Sequence, residues 1–335
     1  MGVTVLVPTV LVLANVLGFG PDDSIADEEP SSPASADAAD PGASDTTSSS
    51  SSAPTNAAGV EPDLSDAISP PSSAPQSVGG PITIKGEEGL TIENWSISNP
   101  DGACLTVVGS SDITIKNSTI GPCGSWGVFI DRSSRVTVQG SNIRTGSAEG
   151  GIYGLSSKAI AVLGNDIANS GRNPVQFDKV TGAGNRIDNN SISSNASEDM
   201  ISVHKSGGTP ESWLTVRDNT IRDNVGKSTS GSGIMVGDAG GSYILVQGNH
   251  LTDPGQVGIG VAGGSNVRVL DNDVKSAQFS WSNVGIYTWD QSSTDCDNIE
   301  VRGNTVDWVN ESGQSNPAWD GGGCGTISGW DSNSW

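Results

Sequence analysis

Apolar and polar residues alternate with a period of two along most of this chain, in short runs broken by glycine and asparagine. Alternation of that kind is the mark of a half-buried strand. A recurring unit reads apolar-x-apolar-x-x-Asn, then a small polar residue, then Ile or Val. It ends at Ile97, Ile120, Ile143, Ile167, Ile192, Ile221, Leu251, Val274 and Val306, with successive spacings between 23 and 32 residues. Two positions earlier stand Asn165, Asn190, Asn219, Asn249, Asn272 and Asn304, one per repeat. A second strand lies upstream in each unit, with the inward pairs Val128 and Ile130, Val175 and Phe177, Ile201 and Val203, Ile234 and Val236, and Ile259 and Val261. Short strands, Gly and Asn turns, few helix formers and this period predict an all-β parallel β-helix, a solenoid of stacked coils. Aligned asparagines are then expected to hydrogen-bond from coil to coil at a buried bend.

The repeat begins near residue 79, and the 79–335 stretch is read as one β-helix catalytic domain. Residues 3–18 are almost all apolar, which reads as the core of a secretory signal or a membrane anchor within residues 1–20, although the basic side chain usual at its start is missing. Residues 21–78 are rich in Ser, Ala, Pro and Asp, too polar to offset the entropy of ordering, and read as a disordered acidic linker. No Lys or Arg precedes Lys85, and eleven acids lie between Asp22 and Asp66, half of the formal charge of −22. The remainder holds 27 acids against 16 bases, which argues against nucleic acid as a partner. Once a signal is cleaved, no membrane insertion is expected, and the chain is read as a secreted, extracellular monomer.

Cys104, Cys123, Cys296 and Cys324 form an even set in a chain with a secretion-like start. Their separations approximate one repeat, so Cys104 is expected to pair with Cys123 and Cys296 with Cys324. No Cys-x-x-Cys zinc spacing occurs.

The repeat spacing widens to 29 and 30 between Ile192 and Leu251, so longer turns are expected to wall a groove beside the central coils. Aligning the upstream strands puts Phe129 and Asp131, Tyr153 and Leu155, Gln176 and Asp178, Ser202 and His204, Met235 and Gly237, Gly260 and Ala262, and Tyr287 and Trp289 outward. A turn column follows: Arg132, Ser156, Lys179, Lys205, Asp238, Gly263 and Asp290. The stretch from Ser197 to Asn224 carries His204, Lys205 and Arg217, which are expected to meet outside one corner. Such a face suits an extended polymer. For an acidic polysaccharide the simplest chemistry is β-elimination, in which positive charge neutralises the uronate carboxylate, a base takes the proton alpha to it and an acid protonates the leaving oxygen. Lys205 is the candidate base, provided partial desolvation and neighbouring charge favour its neutral form, with His204 and Arg217 as catalytic partners. Lys179 and Arg186 are candidates to clamp the carboxylate.

Gln176, Asp178, Lys179, Glu198, Asp199, Asp238, Tyr287 and Trp289 are candidates for substrate binding, the last two by stacking on sugar rings. Glu198 and Asp199 are expected to hold the turn or to accept from Lys205 or Arg217. No cofactor is called for; calcium is the one ion considered, held by Glu198 and Asp199 together with Asp178 or Asp238, although no loop has ion-binding spacing. His250 falls in the Asn-ladder bend and reads as structural.

NPVQFDKV at 173–180, SEDMISVHKSGGT at 197–209, SGIMVGDAGG at 232–241, VGIGVAGG at 257–264 and VGIYTWDQ at 284–291 resemble the bacterial single-domain right-handed β-helix alginate lyases. The resemblance implies a right-handed coil and a secreted polysaccharide lyase acting on alginate or a related uronate polymer, with Lys205 as base or proton carrier. It also implies a tyrosine partner, for which Tyr153 and Tyr287 are outward but lie two and three coils from the strand of Ile201. Two other functions fit the same scaffold: a glycoside hydrolase using Asp178, Asp199 and Asp238, which lacks the paired-Asp and Gly-His-Gly signatures, and a non-catalytic carbohydrate-binding solenoid.

Overall fold

The structure is a computed structural model that describes residues 76–146, 149–193, 197–224 and 231–335. The expected signal and nearly all of the expected linker lie outside the described residues. The first strand is Gln76–Gly79, so the ordered solenoid starts three residues before the boundary read from composition.

The described strands form three parallel sheets of ten, ten and nine strands, and the chain visits them in fixed rotation. One coil shows the order: Asp166–Ala168 in the first sheet, Val175–Asp178 in the second, Arg186–Asp188 in the third, then Ser191–Ser193 back in the first. Pairing between coils is in register, for example Val175 with Ile201 and Phe177 with Val203. Register is enforced by burial, because a one-residue slip would turn every aliphatic outward. All ten predicted inward residues, from Val128 to Val261, are fully buried. They belong to one continuous aliphatic core running the length of the solenoid.

Each bend from the third sheet to the first takes two residues with distinct duties. Asn117, Gly140, Gly164, Asn189, Asp218, Gly248, Asp271 and Gly303 adopt positive φ, the left-handed backbone that Gly, Asn and Asp tolerate best. The next residue is the buried ladder member. Asn190 N–H donates to Asn219 Oδ1 at 2.9 Å, Asn219 N–H to Asn249 Oδ1 at 3.0 Å, and the pattern runs on through Asn272, Asn304 and Asn333. Each amide nitrogen also donates to the carbonyl of an earlier strand, as Asn219 Nδ2 does to Ile187 O at 2.8 Å. Toward the N-terminus Ser118 and Ser141 replace Asn and carry the same ladder through their hydroxyls. His250 stands just past this bend with its imidazole largely exposed, 3.8 Å from Asp273, so it is not part of the ladder.

The second-to-third bend has the same design with shorter side chains. Gly109, Arg132, Ser156, Lys179 and Lys205 take positive φ, and Ser110, Ser133, Ser157 and Ser206 follow four of them, their hydroxyls accepting backbone N–H groups from neighbouring coils. Both expected disulfides are present, Cys104–Cys123 and Cys296–Cys324, one toward each end of the solenoid. Among the described residues no helix is long and apolar enough to cross a membrane.

Candidate functional site

The outward face of the second sheet carries two columns of side chains. One runs Phe129, Tyr153, Gln176, Ser202, Met235, Gly260, Tyr287 and Trp319, each paired with the next across adjacent strands. The other runs Asp131, Leu155, Asp178, His204 and Asp238. The alignment read from the sequence is reproduced except at one place. A bulge after Val203 pairs His204 with Asp238 and skips Gly237. Gly237 has φ of 70°, and a Cβ there would sit 2.0 Å from the carbonyl oxygen of Gly263, so only glycine fits the bulge. The bulge makes Asp238 the cross-strand partner of His204.

His204 Nδ1 lies 3.0 Å from Asp178 Oδ1, and Tyr153 OH donates to Asp178 Oδ2 at 3.3 Å. With Nδ1 carrying the proton toward Asp178, the neutral imidazole presents the Nε2 lone pair away from that carboxylate. The histidine side chain remains 28% exposed, and among the described residues Asp178 is its only side-chain partner. Trp126 and Phe129 pack on the Tyr153 ring with centroids 4.7 and 5.5 Å away. Burial, and after it the Asp178 carboxylate, push the Tyr153 phenol up to about 12, so it stays a donor at any ordinary pH.

Asp199 sits at the base of the same coil. Its backbone N–H donates to Asn173 Oδ1 at 2.9 Å, and its Oδ1 accepts from Ser232 N–H at 2.8 Å. Burial raises its carboxyl to about 7, with the charges of Asp238 and Glu198 adding to the rise and hydrogen bonds from Ser232 and Ser202 opposing it. The residue as a whole keeps partial exposure, so the raised value reflects the close surroundings of the carboxyl group itself.

Tyr287 is closer to this centre than coil counting suggested. A Cβ on Gly260 would lie 2.8 Å from three atoms of the phenol, so the ring lies across that glycine. Its hydroxyl reaches Met235 Sδ at 3.3 Å and accepts from Gln291 Nε2 at 2.5 Å. Burial, then the nearby Asp199 and Asp238, hold the phenol neutral, well above its ordinary value. Tyr287, Met235, Trp289 and Trp319 line a pocket of about 290 Å³, with Trp289 and Trp319 substantially exposed. The tyrosines thus lean inward from both sides of the His204 coil.

Several expected partnerships are not formed. Arg217 belongs to the third sheet, on strand Leu214–Arg217, and pairs with Asp188 at 3.5 Å, so it is on a different wall from His204. The reason is the long turn of Ser206–Trp213, which carries the chain round a corner between the two strands. Arg186 is likewise on the third sheet. Glu198 pairs with Arg172 at 3.2 Å and Asp199 with Ser232, rather than with Lys205 or Arg217. Lys205 follows His204 directly but is the left-handed residue of the bend, exposed to solvent, and so lacks the desolvation that base chemistry by an amine relies on. Lys179 occupies the same bend position one coil earlier and is also exposed. Gln176 accepts from Asn173 Nδ2 at 3.0 Å at the rim of the centre. Among the described residues no group of three or more His, Cys, Asp and Glu converges as a metal site.

Two family profiles match the chain: one described as the right handed beta helix region, over residues 81–230, and one described as the periplasmic copper-binding protein NosD, over residues 211–307. Copper wants thiolate, imidazole or thioether ligands brought together. In the second matched stretch Cys296 is locked in a disulfide, His250 stands exposed beside Asp273, and Met235 accepts from Tyr287, so these residues do not fit copper. No curated protein matches. Among solved structures, a double mutant of the periplasmic alginate epimerase AlgG is 14% identical, with 77% of this chain and 74% of that chain covered and a TM-score of 0.50. The Dettilon tailspike protein is 13% identical, covering 73% of this chain, with a TM-score of 0.47; the surface adhesin PfbA of Streptococcus pneumoniae is 16% identical, covering 68%, with 0.46. This chain spans 61% of the length of each of these last two. At such identities the likeness is one of fold.

Proposed function

We propose that the chain is an exported polysaccharide lyase that cleaves a uronate polymer, alginate first among them, on the outward face of the second sheet. The observation that carries this reading is the string Tyr153–Asp178–His204, which ends in a partly exposed imidazole. A carboxylate that orients an imidazole and stabilises its protonated form is what a general base needs.

In this scheme His204 Nε2 takes the proton at C5 of the uronate. The C5–H electrons form the C4–C5 double bond, the C4–O bond breaks, and its electron pair leaves on the glycosidic oxygen. Asp199, held near 7, supplies the proton to that oxygen. Lys205 and Lys179, exposed at the adjoining bends, neutralise the substrate carboxylate, which moves Lys205 from base to electrostatic partner. Trp289 and Trp319, exposed beside the buried Tyr287 ring, offer apolar faces to sugar rings on the C-terminal side. Two disulfides, and a partial match to a profile described as periplasmic, support export.

A hydrolytic reading rests on Asp199 with Asp238, a carboxyl raised to about 7 in the company of a second acid. Incubation with alginate, pectate and hyaluronate separates the cases. Ultraviolet absorbance of unsaturated uronates together with new reducing ends is the expected result. Reducing ends without absorbance would establish a hydrolase, and neither signal would leave a binding solenoid.

A further inference from the structure

Adjoining the His204 centre and sharing Lys179 with it, a second concavity of about 460 Å³ opens toward the N-terminal coils at the bend between the second and third sheets. Its cations are Arg132, Lys158 and Lys179, its hydroxyls include Ser134, Ser156 and Thr181, and no acid lines it. That is unusual in a chain with 38 acids against 16 bases. Lys158 and Lys179 are exposed and have no ion-pair partner among the described residues. Arg132 reaches Asp131 at 2.7 Å but remains 71% exposed.

We propose that this bend is an anion subsite that holds the carboxylates of a polysaccharide strand running along the solenoid axis. Arg132 and Lys179 occupy equivalent bend positions two coils apart, and Lys205 follows one coil beyond Lys179. Strands stack about 4.8 Å apart, so these cations form a ridge with spacings of about 10 and 5 Å leading to the reaction centre. A polymer with one carboxylate per sugar can engage several of them at once, whereas a neutral glycan gains nothing from the ridge. The groove is therefore polar along its length, with charge on the N-terminal side of His204 and the aromatic rings of Tyr287, Trp289 and Trp319 on the C-terminal side. Identification of the anion as a uronate rests on the lyase reading; the subsite itself does not.

The test is binding rather than turnover. Arg132→Asn, Lys158→Gln and Lys179→Asn are combined, asparagine being chosen at the two positions of positive φ because it tolerates that backbone. A control chain carries Arg144→Gln, Arg222→Gln and Lys275→Gln, the same charge change placed on the first sheet. Circular dichroism establishes that both fold. Titrating polyuronate by calorimetry, the subsite variant should bind about tenfold more weakly or worse, with a shallower dependence on salt, while the control matches the unaltered chain. Equal affinity of the subsite variant and the unaltered chain overturns the proposal, as does an equal loss in the control. A sulfated glycan bound more tightly than polyuronate through the same three residues would overturn the carboxylate assignment. Absent turnover with binding that the subsite variant weakens removes the lyase reading and keeps the subsite.

Discussion

Replacing Asp178 with asparagine tests the His204 centre with little risk to the fold, because the side chain is outward and contacts only Tyr153 and His204 among the described residues. When His204 takes a proton, an imidazolium forms 3.0 Å from the Asp178 carboxylate. Unit charges at that separation attract by about 5.5 kcal/mol at an effective permittivity of 20 and by about 2.8 kcal/mol at one of about 40. Both side chains are mostly covered, 28% and 18% exposed, so the larger figure is an upper bound and screening trims it only in part. At about 1.4 kcal/mol per decade, Asp178→Asn should lower kcat by roughly 10² to 10⁴. KM should change little, since the carboxylate acts on the imidazole rather than on the sugar. Steady-state rates of unsaturated uronate formation give both constants, and urea melts check that stability is kept. A fall in kcat below about tenfold would refute the orienting role of Asp178 and with it the choice of His204 as base.

Three further outcomes are expected. Asn219→Ala removes the acceptor of Asn190 N–H and the donor to Ile187 O, both buried, and should cost about 2–5 kcal/mol in urea denaturation; a loss under about 1 kcal/mol would deny the ladder its structural weight. Gly260→Ala puts a methyl 2.8 Å from the Tyr287 phenol and should push this buried ring off Met235 and Gln291, raising KM for the polymer several-fold and lowering the melting midpoint; an unchanged KM would separate Tyr287 from substrate. Asp199 releases its proton near 3.8 unfolded and near 7 folded, so the native state binds more protons between those values and this group's stabilisation is lost as pH rises from about 4 through 7. Asp199→Asn should flatten that fall in a pH series of denaturation curves, and an unaltered slope would contradict the raised value.

The coil was legible because its determinants are local and repeat. A period-two strand can bury only one face, and the Asn at each bend has one buried backbone group after another to satisfy, so Val175, Phe177, Ile201 and Asn219 fell where the pattern put them. The residue before each ladder member is left-handed at Gly164, Asn189 or Asp218, and the recurrence of Gly, Asn or Asp at that place is its signal in the sequence. The site was less legible because side-chain reach is not periodic. Counting coils separated Tyr287 from His204, whereas the missing Cβ of Gly260 lets the phenol lean across the sheet. Grouping His204, Lys205 and Arg217 by sequence ignored the corner that Ser206–Trp213 turns, which sends Arg217 to another wall. The Gly237 bulge, which brings Asp238 opposite His204, had only a glycine next to an aspartate as its signal.

The chemistry itself is tested most directly by digesting a polyuronate in water enriched in heavy oxygen and weighing the products. Elimination at the His204 centre predicts unsaturated oligosaccharides, each lighter than its hydrolytic counterpart by one water and free of the heavy isotope at the cleaved bond, and their disappearance in His204→Ala. Saturated products carrying heavy oxygen, or unsaturated products that persist in His204→Ala, would contradict it.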